Sequence, residues 1–307
     1  MNRFNCRIAN SQSLLTMHFT IPGRSLFLAL AVTLSMMACD NDTTEPVGAV
    51  DDASVNLTTT ALGPVLTGSG GKTLYFFASD VNGTSACTSP QCLTNWVTFY
   101  AEPSALQVGT GLNATDFTVI NRPDGRLQTA YKGWPLYYFK NDAKAGDVLG
   151  DNVGGVWMAA KPNYSILIGN TQLVGHDGKN YVTANTIAYT EGTGSTLYLT
   201  DARGMALYAF ANDRKNKNNY TRQDFSNNPT WPLFEVPASA LGELPSSLKK
   251  ADFGSITVFG RNQLTYKGWP LYYFGGDGTT RGATKGVSFP RPNVWPIVNA
   301  STPEAPI

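Results

Sequence analysis

Any acid–base or cation chemistry in this chain would run first through four aspartates that recur at a fixed distance behind aromatic residues. The pattern Tyr-x-Phe-x-x-Asp occurs as Tyr75, Phe77, Asp80; as Tyr137, Phe139, Asp142; as Tyr208, Phe210, Asp213; and as Tyr272, Phe274, Asp277. Three roles suit a carboxylate in that place. It can hold a cation, and Asp80-Val81-Asn82-Gly83 has a calcium-loop flavour but lacks the further carboxylates of an EF-hand. It can join a second carboxylate about 5–10 Å away and act on glycans. Or it can accept backbone N–H groups and close the turn after its strand. Repetition favours the third role, because four equivalent sites suit folding better than catalysis.

Other reactive side chains are few. Beyond the leader the chain holds one histidine, His176, in the turn-like Gly175-His176-Asp177-Gly178. Ser-His-Asp, Cys-His and His-rich metal sites are thereby excluded or reduced to one loop residue. No G-x-S-x-G, HExxH or phosphate-cradling glycine loop is present. Cys87 and Cys92 form a close pair with no other mature cysteine to complete a thiolate metal site, so a structural disulfide is expected.

The elements that position these residues read as β. Tyr and Phe two apart share a strand face, and β-branched and aromatic residues fill FTVIN, SITVF, YSILI and TLYLT. Glycine-containing turns precede several strands. Only 238–250 (ASALGELPSSLKK) invites a helix, and Pro245 interrupts it. The aromatic run from Tyr131 to Phe139 must supply core, although Tyr137 and Tyr138 point to opposite faces, which leaves one ring open to a flat ligand such as a sugar or to a protein.

The body repeats. TAYKGWPLYYF at 129–139 returns as LTYKGWPLYYF at 264–274, an offset of 266 − 131 = 135, and Trp96 returns as Trp231. Within each half the signature repeats again, at 137 − 75 = 62 and 272 − 208 = 64 residues. The expectation is an all-β chain of two tandem duplicated β domains, 61–171 and 195–303, each of two pseudo-repeat units, with 172–194 as linker. A single four-unit propeller-like ring is the alternative.

The N-terminus is a targeting signal. The apolar run Leu26–Met37 behind Arg24 is too short to span a bilayer and ends at Met37-Ala38-Cys39, which resembles a lipobox. Residues 1–38 read as a lipoprotein signal peptide starting at Met1 or Met17, with Cys39 as lipid attachment site; an ordinary secretory signal is the alternative. Residues 39–60, polar and acidic, read as a flexible tether of about 25 Å mean reach. With Arg3, Arg7 and Arg24 removed the mature chain carries 20 − 22 = −2 charges, near neutral and without a basic run, which argues against nucleic acid.

At Tyr-Lys-Gly-Trp-Pro-Leu-Tyr-Tyr-Phe the chain resembles the bacterial secreted-repeat lipoproteins, a family of unknown function defined by Tyr-x-[Phe/Trp/Tyr]-x-x-Asp. Lys72-Thr73-Leu74-Tyr75, Cys87, Cys92 and Trp96 match its pattern, with Val97 in place of a proline. The second half keeps Trp231-Pro232 without the cysteines. The resemblance implies a location at the cell envelope, outer membrane or cell surface before inner membrane, and no reaction. The reading that follows is a lipid-anchored, non-catalytic binding or structural module without a cofactor, its partners the membrane and an envelope protein or glycan. Two alternatives are an accessory for envelope metal, haem or redox handling and a carboxylate-based glycan-active enzyme.

Overall fold

Short strands joined by glycine turns assemble into five small sheets, as the period-two aromatic pattern anticipates. The structure, a computed structural model, describes residues 53–183 and 188–307. The signal peptide, Cys39 and most of the tether lie outside the described residues. The one α-helix among the described residues is Pro90–Asn95, started by Ser89, whose Oγ accepts the Cys92 N–H, and by Pro90 in the first turn. The 238–250 window holds a 3₁₀ turn at Ala238–Ala240, and a second begins at Lys250; no α-helix forms there.

Each half is two units facing one another. Strand Leu74–Phe77 pairs antiparallel with Tyr137–Phe139, and Tyr75 lies opposite Tyr137. In the second half Tyr208 lies opposite Tyr272 in the same sense. Equivalent residues opposed across an antiparallel pair define an approximate two-fold axis. Trp157 pairs with Phe77 and Trp96 with Phe139, so each signature strand is flanked by the tryptophan strand of the other unit.

On that axis the tryptophans stack. Trp96 and Trp157 lie 3.6 Å apart centroid to centroid, with Phe139 on the first at 4.4 Å and Phe77 on the second at 4.2 Å. Trp231 and Trp295 repeat the stack at 3.7 Å, with Phe274 at 4.5 Å and Phe210 at 4.6 Å. Each half is thus centred on a four-ring column, and each ring pair adds about 0.5–1.5 kcal/mol beyond burial. All four tryptophans are buried.

Two boundaries differ from the sequence reading. The tether does not extend to residue 60: Ser54–Thr60 is a strand, paired with Gly63–Thr67 over five residues. Its alternating Val55 and Leu57 enter the core while Asn56 and Thr59 are exposed, and composition alone reads it as polar. The linker also begins inside a strand. Ile166–Val174 leaves the first half and pairs over seven residues with Ser195–Asp201 of the second, with a small hairpin of Asn180–Val182 and Thr190–Glu191 inserted between them. One main core runs through both halves, and the described residues belong to a single compact unit.

Candidate functional site

The four signature aspartates sit at the ends of the tyrosine strands, and each reaches into the opposite unit. Asp142 Oδ2 accepts the Tyr75 hydroxyl at 2.6 Å and Asp80 Oδ2 accepts that of Tyr137 at 2.6 Å. In the second half Asp277 accepts from Tyr208 and Asp213 from Tyr272, both at 2.8 Å. The other oxygen of every carboxylate closes its own loop, accepting the backbone N–H of Ala86, Leu149, Asn219 or Lys285 at 2.6–3.0 Å. The exchange closes within each half, which is the arrangement of two pairs, not of a four-unit ring.

Burial governs the charge state of these groups. Desolvation pushes the Asp80 and Asp213 carboxyls up to about 7, opposed by their tyrosine and backbone hydrogen bonds. Asp142 and Asp277 move in the same direction for the same first cause. Tyr75, Tyr137, Tyr208 and Tyr272 are raised as well, by burial and then by the neighbouring carboxylate. Tyr137 continues into a closed network: its hydroxyl meets Ser85 Oγ at 2.6 Å, and Arg122 donates to Ser85, to Gln128 Oε1 and to the Cys87 carbonyl. Asp80, Ser85, Arg122 and Tyr137 are all buried, so no substrate meets them in this conformation.

Cys87 and Cys92 form the disulfide. In the second half the Cys92 position is Asn227, by 227 − 92 = 135. Its side chain accepts from Arg222 N–H and donates to the Tyr220 carbonyl, tying with hydrogen bonds the loop that the first half ties covalently. His176 is an exposed turn residue whose ring packs edge-on to Phe289. Among the described residues no three His, Cys, Asp or Glu side chains gather where a metal would sit.

What does open to solvent is a groove that occurs twice; the sequence reading offered one face of the Tyr137–Tyr138 pair to a ligand but did not identify the groove. In the first half a cavity of about 330 Å³ is lined by Ser69, Gly70, Lys72, Val97, Tyr138, Phe139 and Lys140. In the second a cavity of about 280 Å³ is lined by Arg203, Met205, Pro232, Tyr273, Phe274, Gly275 and Arg281, with Gly278 and Thr279. The frames correspond: 205 − 72 = 133, 232 − 97 = 135 and 273 − 138 = 135. Each holds two cations and no lining carboxylate, at different positions, Lys72 and Lys140 against Arg203 and Arg281. Arg203 is paired with Asp201 at 2.9 Å, whereas neither lysine has an ion pair among the described residues. Tyr138 accepts the Ser69 N–H, while Tyr273 donates to Asp201. The signal that could have found the groove is the second tyrosine of each Tyr-Tyr-Phe, whose ring faces away from the four-ring column.

Residues 56–99, 118–161 and 257–299 match the family model described as a secreted repeat of unknown function, in agreement with the resemblance carried by the tyrosine–aspartate motif. The first match starts within strand Ser54–Thr60, which places that strand inside the repeat. The unit holding Tyr208 and Asp213, which lacks the cysteines, is unmatched. No curated protein and no solved structure matches the chain.

Proposed function

From a chain carrying three matches to a secreted repeat, we propose a non-catalytic module of the cell envelope, anchored by lipid at Cys39, that binds acidic glycan through its recurring groove. The observation that carries this reading is the groove's presence at equivalent places in both halves, while the motif carboxylates are engaged by tyrosine hydroxyls and backbone N–H groups. Two cations over an aromatic floor suit a carboxylate or phosphate group carried on a sugar, with a tyrosine hydroxyl at the edge. The near-neutral mature chain supplies no long-range field, so recognition is local to the lysines. The first groove carries the recognition, since Arg203 of the second is paired with Asp201 and Arg281 bonds the Val81 and Lys132 carbonyls.

The test is titration of residues 53–307 with an acidic envelope polysaccharide and with its carboxyl-reduced form. Binding of the first alone, weakened at least tenfold in a Lys72→Ala/Lys140→Ala variant, supports the reading. Equal response to both forms, or none to either, sinks the glycan assignment. Mass spectrometry of the processed N-terminus decides the anchor separately: a diacylglyceryl mass on Cys39 supports it and a free α-amine elsewhere refutes it.

A further inference from the structure

The Tyr-Lys-Gly-Trp sequence builds the same face in each half, and a different segment meets the tryptophan of each. Lys132-Gly133 and Lys267-Gly268 are two-residue turns with positive φ at both positions, which set the following tryptophan beside the lysine. In the first half Trp134 Nε1 donates to the Ala202 carbonyl at 2.9 Å, Lys132 Nζ donates to the Pro162 carbonyl at 2.7 Å, and Arg281 lies so close to Gly133 that a Cβ there would meet its Nη1 at 2.8 Å. Pro162 belongs to the first half, whereas the partner of the indole comes from the second half, whose turn supplies Ala202. In the second half the corresponding bonds go to residues 300–303 of the same half. Trp269 Nε1 donates to the Pro303 carbonyl at 2.9 Å, and Lys267 Nζ to those of Ala300 and Thr302 at 2.8 and 3.0 Å. Two main-chain bonds add to them: Ala305 N–H to the Lys267 carbonyl at 2.9 Å, and Lys215 N–H to the Pro306 carbonyl at 2.7 Å.

We propose that the Lys267–Trp269 face is a peptide-docking site, filled in cis by the tail Ser301–Ile307 and able to take the same tail from a second copy once its own is gone. Recognition runs almost wholly through carbonyl oxygens, as where a peptide is held by its main chain. Of the tail side chains only Thr302 and Ala305 are buried, and the Glu304–Lys215 pair is exposed and weak. A cleft of about 220 Å³ lined by Lys215, Asn216, Asp252, Lys267 and Gly268 stays open beside it. The tethered tail competes at high effective concentration, so the site answers to a second copy only when the tail is cut or lifted. This inference stands apart from the glycan reading, since the face and the grooves share no lining residue.

The test uses the chain ending at Ala300 and the synthetic peptide Ser301–Ile307. The expected result is saturable binding with a change in tryptophan emission, weakened about tenfold by Lys267→Met, and no binding to the full chain. A folded, truncated chain that ignores the peptide overturns the proposal. Should truncation cost the fold, hydrogen exchange on the full chain decides: the Ala305 amide is expected to exchange at least a hundredfold faster than the Leu271 amide, by local opening. Equal rates would show a tail released only by global unfolding and would overturn it as well.

Discussion

The Tyr75 hydroxyl donates to Asp142, 67 residues away, and not to Asp80, five residues on in its own signature. Tyr137 returns the exchange to Asp80. The signature is therefore one half of a reciprocal clasp, and a repeat unit cannot satisfy its own tyrosine. Antiparallel pairing of equivalent strands demands this, because it carries each tyrosine to the end of the strand where the other unit's aspartate stands.

Double-mutant cycles read the clasp directly. Tyr75→Phe keeps ring packing but removes the donor to a largely buried carboxylate, a loss of about 1.5–3 kcal/mol. The cycle of Tyr75→Phe with Asp142→Asn is expected to show coupling of about 1 kcal/mol or more, and the cycle with Asp80→Asn much less. Denaturant unfolding of the five variants and the unsubstituted protein measures both. Coupling to Asp80 in place of Asp142 would contradict the exchange.

The clasps also set a pH dependence. Asp80 and Asp213 titrate near 7 in the folded chain and near 3.8 when unfolded, because burial disfavours the charge. Between those values the folded state binds more protons, so ΔG of unfolding falls as pH rises. The contribution of these two groups is complete below about pH 4 and gone above about pH 7. The melting temperature is thus expected to be higher at pH 5.5 than at pH 8, and Asp80→Asn should flatten the slope. Asp124 acts in the opposite sense: burial would raise it, but hydrogen bonds from Arg122 and Arg126 outweigh that and hold it low. Its effect falls at strongly acidic pH. A stability that climbs from pH 5.5 to 8 would refute the assignment.

Much of this was legible in residues. Identical strings at an offset of 135 announced two like halves, and two cysteines five apart announced a loop closure, because both depend on local spacing. The role of the aspartates as loop closers was legible too, through the known habit of Asp after a strand. Which tyrosine meets which aspartate was not, since the exchange is a property of the axis between units and leaves no trace in either copy alone. Ser54–Thr60 escaped because five polar residues hide the alternation of Val55 and Leu57. The shared core escaped because Ile166–Val174 reads as the end of one half, while its partner Ser195–Asp201 begins the other. The grooves arise from residues drawn from three separate strands and turns, none distinctive by itself.

Asn227 offers a comparison within one molecule of a covalent tie and a hydrogen-bonded one. Removing the Cys87–Cys92 disulfide opens a short loop and is expected to cost about 2 kcal/mol. Asn227→Ala removes bonds to the backbone of Tyr220 and Arg222 and is expected to cost about 1–2 kcal/mol. Denaturant unfolding with and without reductant measures the pair. Only the first half should respond to reductant, so Asn227→Ala and reduction are expected to add within about 0.5 kcal/mol. Strong coupling would mean that the two loops sense each other through the shared core.

Arg281 fastens the halves. Its guanidinium lies 5.1 Å from the Trp134 ring centroid, Nε donates to the Val81 carbonyl and Nη1 to the Lys132 carbonyl, all three partners in the first half. Burial draws its pKa below the usual arginine value, which marks a desolvated cation, and Nη2 has no hydrogen-bond partner among the described residues. Arg281→Met keeps the stem and removes the fork. Loss of two charged hydrogen bonds and a cation–π contact predicts destabilisation of roughly 2–4 kcal/mol, less whatever relief follows from removing the unpaired Nη2. Arg281→Lys should recover little, because a point charge cannot reach both carbonyls while stacking on the indole. Denaturant unfolding gives the size of the loss, and indole hydrogen exchange at Trp134 locates it, since that N–H bonds Ala202 across the same seam. A neutral Arg281→Met, with the Trp134 indole still protected, would mean the seam is held without Arg281, by the pairing of Ile166–Val174 with Ser195–Asp201 and the Trp134–Ala202 bond.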